Sequence, residues 1–141
     1  MATFNKINQF VEDLAAGVHD LASDTLTIAL TTAANAPVAT DEVLADLAQI
    51  TYTNCSSRVL TTTSCVQTSG TLKLILEDLV LTASGGTVGP FSCVVIYNDT
   101  PTSPADPLIG WYVYPGGDIT LQSGETFTID FDGTNGVLQI Q

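Results

Sequence analysis

Any acid–base, thiol or metal chemistry in this chain would have to be built from fifteen carboxylates, three cysteines and a single histidine, His19. A Ser-His-Asp arrangement needs an imidazole within reach of both a nucleophile and an acid. Only His19 is available for it, and the chain has no G-x-S-x-G elbow. G-x-x-x-x-G-K-[ST] and G-x-G-x-x-G phosphate loops are also missing. The run D-F-D-G-T-N-G at 130–136 is rich in oxygen ligands and suggests calcium. It departs from the EF-hand pattern: Thr134 stands at the fifth loop position, Asn135 takes the glycine position, and no glutamate closes the loop. A hydrolase acting on a cell-wall or capsule polymer would need paired carboxylates such as Asp130 and Asp132. Glu77 and Asp78 are adjacent on a strand, so they point to opposite faces and cannot share a substrate. The sequence therefore assigns no catalytic, cofactor-binding or metal-binding residue, and the expectation is a non-enzyme without a cofactor.

The aromatic residues offer a different chemistry. Trp111, Tyr112 and Tyr114 lie in one short run, with Tyr97 a few residues upstream. Alternation places Trp111 and Val113 on one face and Tyr112 with Tyr114 on the other. Trp111 is expected in the core. The two tyrosines are expected at the surface, where they could serve a partner or stack on a glycan.

Charge narrows the partners further. Lys6, Arg58 and Lys73 stand against fifteen carboxylates, a formal net of −12. Three cations cannot build a phosphate-contacting surface, and the field repels nucleic acid and anionic membranes. No stretch is long and apolar enough for a membrane span, and the opening M-A-T-F-N-K-I-N-Q-F lacks the continuous apolar run of a secretory signal. Three cysteines are too few for a disulfide framework, although Cys55 and Cys65 could pair across a hairpin; Cys93 sits in an apolar run and reads as a small buried hydrophobe. A zinc site has neither a CxxC pair nor a second histidine.

The elements that would carry these residues follow from periodicity. Phe4, Ile7, Val11, Leu14, Val18 and Leu21 recur at spacings of three and four, predicting an amphipathic helix over 4–22. A strand with one wet face follows at 25–31. Thr40 before Asp41-Glu42 predicts the N-cap of a short helix of about two turns. Residues 51–69 predict one or two short strands with a polar loop. In the strand from Thr71, Leu72, Leu74 and Leu76 share one parity, while Leu79, Leu81 and Ala83 share the other; a bulge or bend at Glu77-Asp78 is expected. Strands are expected at 88–98, 108–114 and 119–121. Phe127, Ile129 and Phe131 alternate with polar residues, then D-G-T-N-G turns the chain into Val137, Leu138 and Ile140. That reads as a β-hairpin closing the protein. About eight short strands at ten-residue spacing predict a mainly β fold, an antiparallel sandwich or jelly roll over 23–141, preceded by a helical segment over 1–22.

Several long segments resemble small structural proteins of tailed bacteriophages: L-I-L-E-D-L-V-L-T-A-S-G-G-T-V-G-P-F (74–91), V-I-Y-N-D-T (95–100), D-P-L-I-G-W-Y (106–112), S-G-E-T-F-T-I-D-F-D-G-T-N-G-V-L (123–138) and the opening F-N-K-I-N-Q-F-V-E-D-L-A-A-G-V-H-D-L (4–21). The likeness covers most of the chain and is weakest over 51–69. It implies a virion protein assembled in the host cytoplasm. Most specifically, it implies a capsid decoration, or cement, protein bound to the lattice of major capsid protein as a homo-oligomer, a trimer by the symmetry of such positions. A tail or fibre module that binds a host glycan or another tail protein is the alternative. No functional residue carries over from the family. The surfaces left for partner contact are the helix stripe, with Phe4, Ile7, Val11 and Leu14, and the tyrosine face, with Tyr112 and Tyr114.

Overall fold

A computed structural model describes residues 2–141. The fold is mainly β, antiparallel and sandwich-like. It has eleven short strands among the described residues: β1 (Asn5–Lys6), β2 (Leu26–Thr31), β3 (Thr62–Thr68), β4 (Thr71–Leu76), β5 (Leu79–Thr82), β6 (Val88–Phe91), β7 (Cys93–Asn98), β8 (Leu108–Val113), β9 (Ile119–Leu121), β10 (Thr126–Ile129) and β11 (Leu138–Ile140). One α-helix, α1 (Asn8–Ala15), lies between β1 and β2. The strands form sheets ordered β1-β8-β7-β2, β11-β4-β3, β10-β5 and β6-β9. All of them enclose a single core that includes Ile28, Leu74, Leu81, Phe91, Ile96 and Ile109.

The helix is half the length that periodicity predicts. Residues Asn5 and Lys6 pair with Trp111 and Gly110 instead of starting a helix, and Ile7 N–H continues the contact to Ile109 O at 3.1 Å. At the other end Gly17 takes φ +78°. Its N–H donates to Leu14 O (3.2 Å) and Val18 N–H donates to Asp13 O (2.9 Å), which satisfies the last helical carbonyls in a Schellman closure. The buried residues are Ile7, Phe10 and Asp13, whereas Val11 is 51% exposed. The true inward face is thus rotated from the expected stripe, because Phe10 fills the core.

The second expected helix is a single 3-10 turn over Leu44–Asp46. Thr40 does not cap it. The Asp46 carboxylate accepts from Glu42 and Val43 N–H at 2.9 and 3.0 Å, while Leu44 N–H and Glu42 O are drawn to Asp106 and Leu108 beside β8. Pairing with another element outcompetes a second helical turn.

Strand β2 shows the largest departure from alternation: all six residues are buried. One edge pairs with β7. The other is covered by the 48–60 loop, through Leu60 N–H to Leu26 O (2.8 Å), Ile28 N–H to Arg58 O (3.0 Å) and Ile50 N–H to Leu30 O (3.0 Å). Arg58 fastens the loop, donating to Ile28 O and stacking 3.7 Å above the Tyr52 ring. An open strand edge is a template for pairing with other chains, and this cover removes it.

The expected break at Glu77-Asp78 is present. β4 ends at Leu76, β5 starts at Leu79, and the buried positions change from Leu74 and Leu76 to Leu81 and Ala83. The terminal hairpin is not formed. β10 pairs with β5 and β11 with β4, so the two last strands run along the two halves of the bent β4–β5 segment and not along each other. The D-G-T-N-G loop carries the chain between them. Cysteines 55, 65 and 93 are all free thiols. Cys55 lies opposite Ala83 and Cys65 opposite Leu74, which keeps the first two apart.

His19 is buried and structural. Its Nδ1 accepts from Asn98 Nδ2 at 3.1 Å, and the same amide donates to Asp24 Oδ2 at 2.6 Å. Burial lowers the imidazole pKa below its ordinary 6.5, against the opposing fields of Asp13 and Asp24. The unfolded chain therefore binds this proton more readily. Its contribution to stability is complete above pH 6.5 and is lost as pH falls below that value. Thermal unfolding should show a drop in Tm between pH 7.5 and 5.5 that is absent in His19→Gln; a wild-type Tm flat over that window refutes the assignment. A second expectation concerns Gly110, where an added Cβ would lie 2.2 Å from Phe4 Cζ and 2.6 Å from Asn5 O. Gly110→Ala should cost about 1–3 kcal/mol by forcing β1 from β8, read as a Tm loss of roughly 3–10 °C.

Candidate functional site

The aromatic residues converge on one groove of about 650 Å³ between the β8 face and β10. Its floor is built from Tyr112 of β8 and Tyr114 just after the strand, together with Val94, the cross-strand partner of Tyr112. Its wall is different: six consecutive residues, Phe127 to Asp132, contribute. Three of them, Phe127, Thr128 and Ile129, belong to β10 and the other three follow it; successive strand side chains point to opposite faces, so three in a row on β10 line a groove where the strand presents its edge. That edge is open, since β10 pairs with β5 alone.

Ring contacts tie floor to wall. Tyr114 meets Phe127 edge-on at 5.6 Å between centroids, and Tyr112 meets Phe131 at 6.3 Å. Phe4 packs on Tyr112 at 5.4 Å, and Phe91 supports Phe127 at 5.5 Å from the core side. Such pairs are worth about 0.5–1.5 kcal/mol each beyond area burial, so the groove is a preformed surface. Tyr114 is 40% exposed at its mouth.

The carboxylates of this region divide into structural and free. Asp132 is committed to its own loop: Oδ1 accepts from Thr134 N–H (2.8 Å) and Asn135 N–H (2.7 Å), and Oδ2 from Asn135 Nδ2 (2.9 Å). The bonds from Asn135 lead in holding its pKa below the usual 3.8. These are among the oxygens a calcium reading would need, and two backbone N–H groups and the Asn135 side-chain amide occupy them. Among the described residues no three His, Cys, Asp or Glu side chains assemble as a metal-binding group. Asp78, on the bend, accepts from Phe131 N–H at 2.9 Å. Asp130 projects at the groove, exposed and without a protein hydrogen bond that engages its carboxylate. As a pair, Asp130 and Asp132 lack a symmetric environment: one is free and the other fully bonded.

The six residues proposed for partner contact separate into two groups. Phe4, Tyr112 and Tyr114 meet at the groove. Ile7 is fully buried and presents no surface; Leu14 is half-buried; Val11 is exposed but lies on α1, outside the groove lining. Trp111 is half-buried against the core and not enclosed by it. Phe127, Phe131 and Asp130 are the groove residues that sequence reasoning did not join to the tyrosines. Fifteen residues separate Tyr112 from Phe127, and no local signal links them.

A scan against protein-family models finds no match, and searches of curated proteins and of solved structures find none either. The fold and site define the class directly: a sandwich-like β body bearing one aromatic, acid-rimmed groove beside an open strand edge. No helix among the described residues is long and apolar enough to cross a membrane.

The groove makes one titration distinctive. Burial, helped by the nearby Asp132 charge, pushes the Tyr112 phenol up to about 12. The folded state keeps a proton that the unfolded state releases above pH 10, so this contribution to stability is present below pH 10 and lost as pH rises through about 12. Absorbance titration at alkaline pH should show a last phenolate step that Tyr112→Phe abolishes. If Tyr112→Phe instead removes a step near pH 10, the ring is solvated and the groove is not closed as described.

Proposed function

We propose that the protein is a structural component of a tailed-phage virion, a capsid decoration protein that seats on the outer face of the coat lattice as a homotrimer and stabilises the head without catalysing a reaction. One observation carries this reading. The long segments that resemble phage structural proteins are the ones that build the bend and the groove: 74–91 forms the end of β4, the turn to β5 and β6, 106–112 leads into the floor, and 123–138 forms the wall. The resemblance thus falls on a connected surface.

Physical features support it. A cement protein needs a rigid body and a fitted surface, and the fold supplies an enclosed core with a covered β2 edge and one preformed groove. A net charge of −12 keeps particles from adhering to one another and to nucleic acid. The free thiols suit assembly in a reducing cytoplasm.

Capsids assembled with and without the protein test this. Decorated heads should resist heat or chelator better, and micrographs should show copies in the hundreds per head. Equal resistance, or no density on the head, overturns the reading. A handful of copies at the tail would transfer the protein to the tail or fibre class, where the exposed Tyr114 ring would serve a glycan or a neighbouring tail protein.

A further inference from the structure

The groove is bordered by an edge strand, and the backbone direction along that strand is determined. Ala83 N–H donates to Glu125 O at 3.0 Å, and the register continues Phe127↔Leu81 and Ile129↔Leu79. In an antiparallel ladder the bonded pairs recur at every second residue. The carbonyl of Glu125 and the backbone groups of Phe127 and Ile129 therefore point to β5, and the backbone groups of Thr126, Thr128 and Asp130 point away from it. Phe131 N–H, directed to Asp78 on the β5 side, keeps the same alternation. The outward series has no strand partner.

We infer that this outer edge of β10 receives an extended, basic segment of a partner protein as an added strand, lying over the tyrosine floor of the groove. Strand addition draws affinity from main-chain hydrogen bonds and specificity from alternate side chains. Here one alternate set would descend onto Tyr112, Tyr114 and Phe131, surfaces suited to apolar side chains and to the faces of cations. The other set would lie toward Asp130, whose carboxylate accepts no hydrogen bond among the described residues, and toward the acidic exterior. Charge selects the occupant. The chain itself supplies three cations against fifteen carboxylates, so complementary charge must come from outside. A second copy brings another net −12 to the same edge and is disfavoured. The three outward positions span roughly 14 Å at strand rise, which suits a guest of about five residues.

The inference names the contact by which the proposed lattice binding would be made, and rests on that reading only for the partner's identity. Its test needs no capsid. The full-length protein is titrated with a blocked six-residue peptide of alternating valine and lysine, with the valine–glutamate counterpart, and with a neutral hexose hexamer. Backbone NMR and amide exchange are the readouts. The lysine peptide should shift residues 112–114 and 126–131 saturably and slow exchange at Thr128 and Asp130 by at least about tenfold, one hydrogen bond's worth. The glutamate peptide should do neither. Thr128→Pro, tolerated on an edge strand, should weaken the lysine peptide about tenfold or more by removing an outward N–H. Where that variant fails to fold, a lysine peptide N-methylated at alternate residues asks the same question from the guest's side and should bind as poorly. Four results overturn the inference: no saturable shift with the lysine peptide, binding indifferent to Thr128→Pro and to N-methylation, the hexose hexamer producing the shifts instead, or a peptide-free dimer that already protects Thr128. Peptide binding with no gain in capsid resistance would refute the decoration role and leave the strand site standing.

Discussion

A single hydrogen bond, from Phe131 N–H to the Asp78 carboxylate, marks the constraint on which the rest of this structure depends. It joins two breaks in regular pairing. On one strand the chain changes face at Glu77-Asp78; on its neighbour the ladder ends at Ile129 and resumes at Leu138. Because both break at the same level, the long antiparallel ribbon bends as a unit. Its lower half joins β3 in one sheet, and its upper half becomes the isolated pair β5–β10. A flat ribbon would have kept one set of leucines in solvent. The bend lets Leu74, Leu76, Leu81 and Ala83 all enter the core.

The bend also creates the surface with functional promise. Separated from the sheet of β3, β4 and β11, β10 keeps one edge unpaired and turns it toward the β8 face. Aromatic contacts then hold floor and wall at fixed separation. The molecule treats its other exposed liability in the opposite way. The outer edge of β2 is covered by the 48–60 loop, fastened by the lone arginine through a carbonyl bond and a tyrosine ring. One edge is blunted and another is left open beside a preformed groove.

Polar burial sets a limit on rigidity elsewhere. Asp13 Oδ2, His19 Nε2 and the hydroxyls of Thr27 and Thr31 are enclosed without a protein hydrogen bond. The threonines are the consequence of burying β2 on both sides, a cost accepted where the loop covers the edge. The Asp13–His19 region closes the α1 end of the core and ties it through Asn98 to the end of β7. Burial lowers the imidazole pKa there, and the region lies apart from the groove lining.

Much of this was legible in the residues themselves. Period-two alternation marked most of the strands, and the parity change of the leucines located the bend. These are local properties, and a short window of sequence contains them. The helix was overextended because its apolar spacing continues through Phe4 and Leu21, while strand pairing with β8 depends on groups outside that window and the local Gly17 closure overrides the spacing. The closing hairpin failed for the same reason: D-G-T-N-G turns the chain, yet the turn cannot specify which strands the two arms will pair with. Residue type alone placed Tyr112 and Tyr114 on a common face. Their meeting with Phe127, Phe131 and the open edge of β10 was decided only by the tertiary structure, because contact across two sheets is set by how the core packs and leaves no periodic trace in the chain.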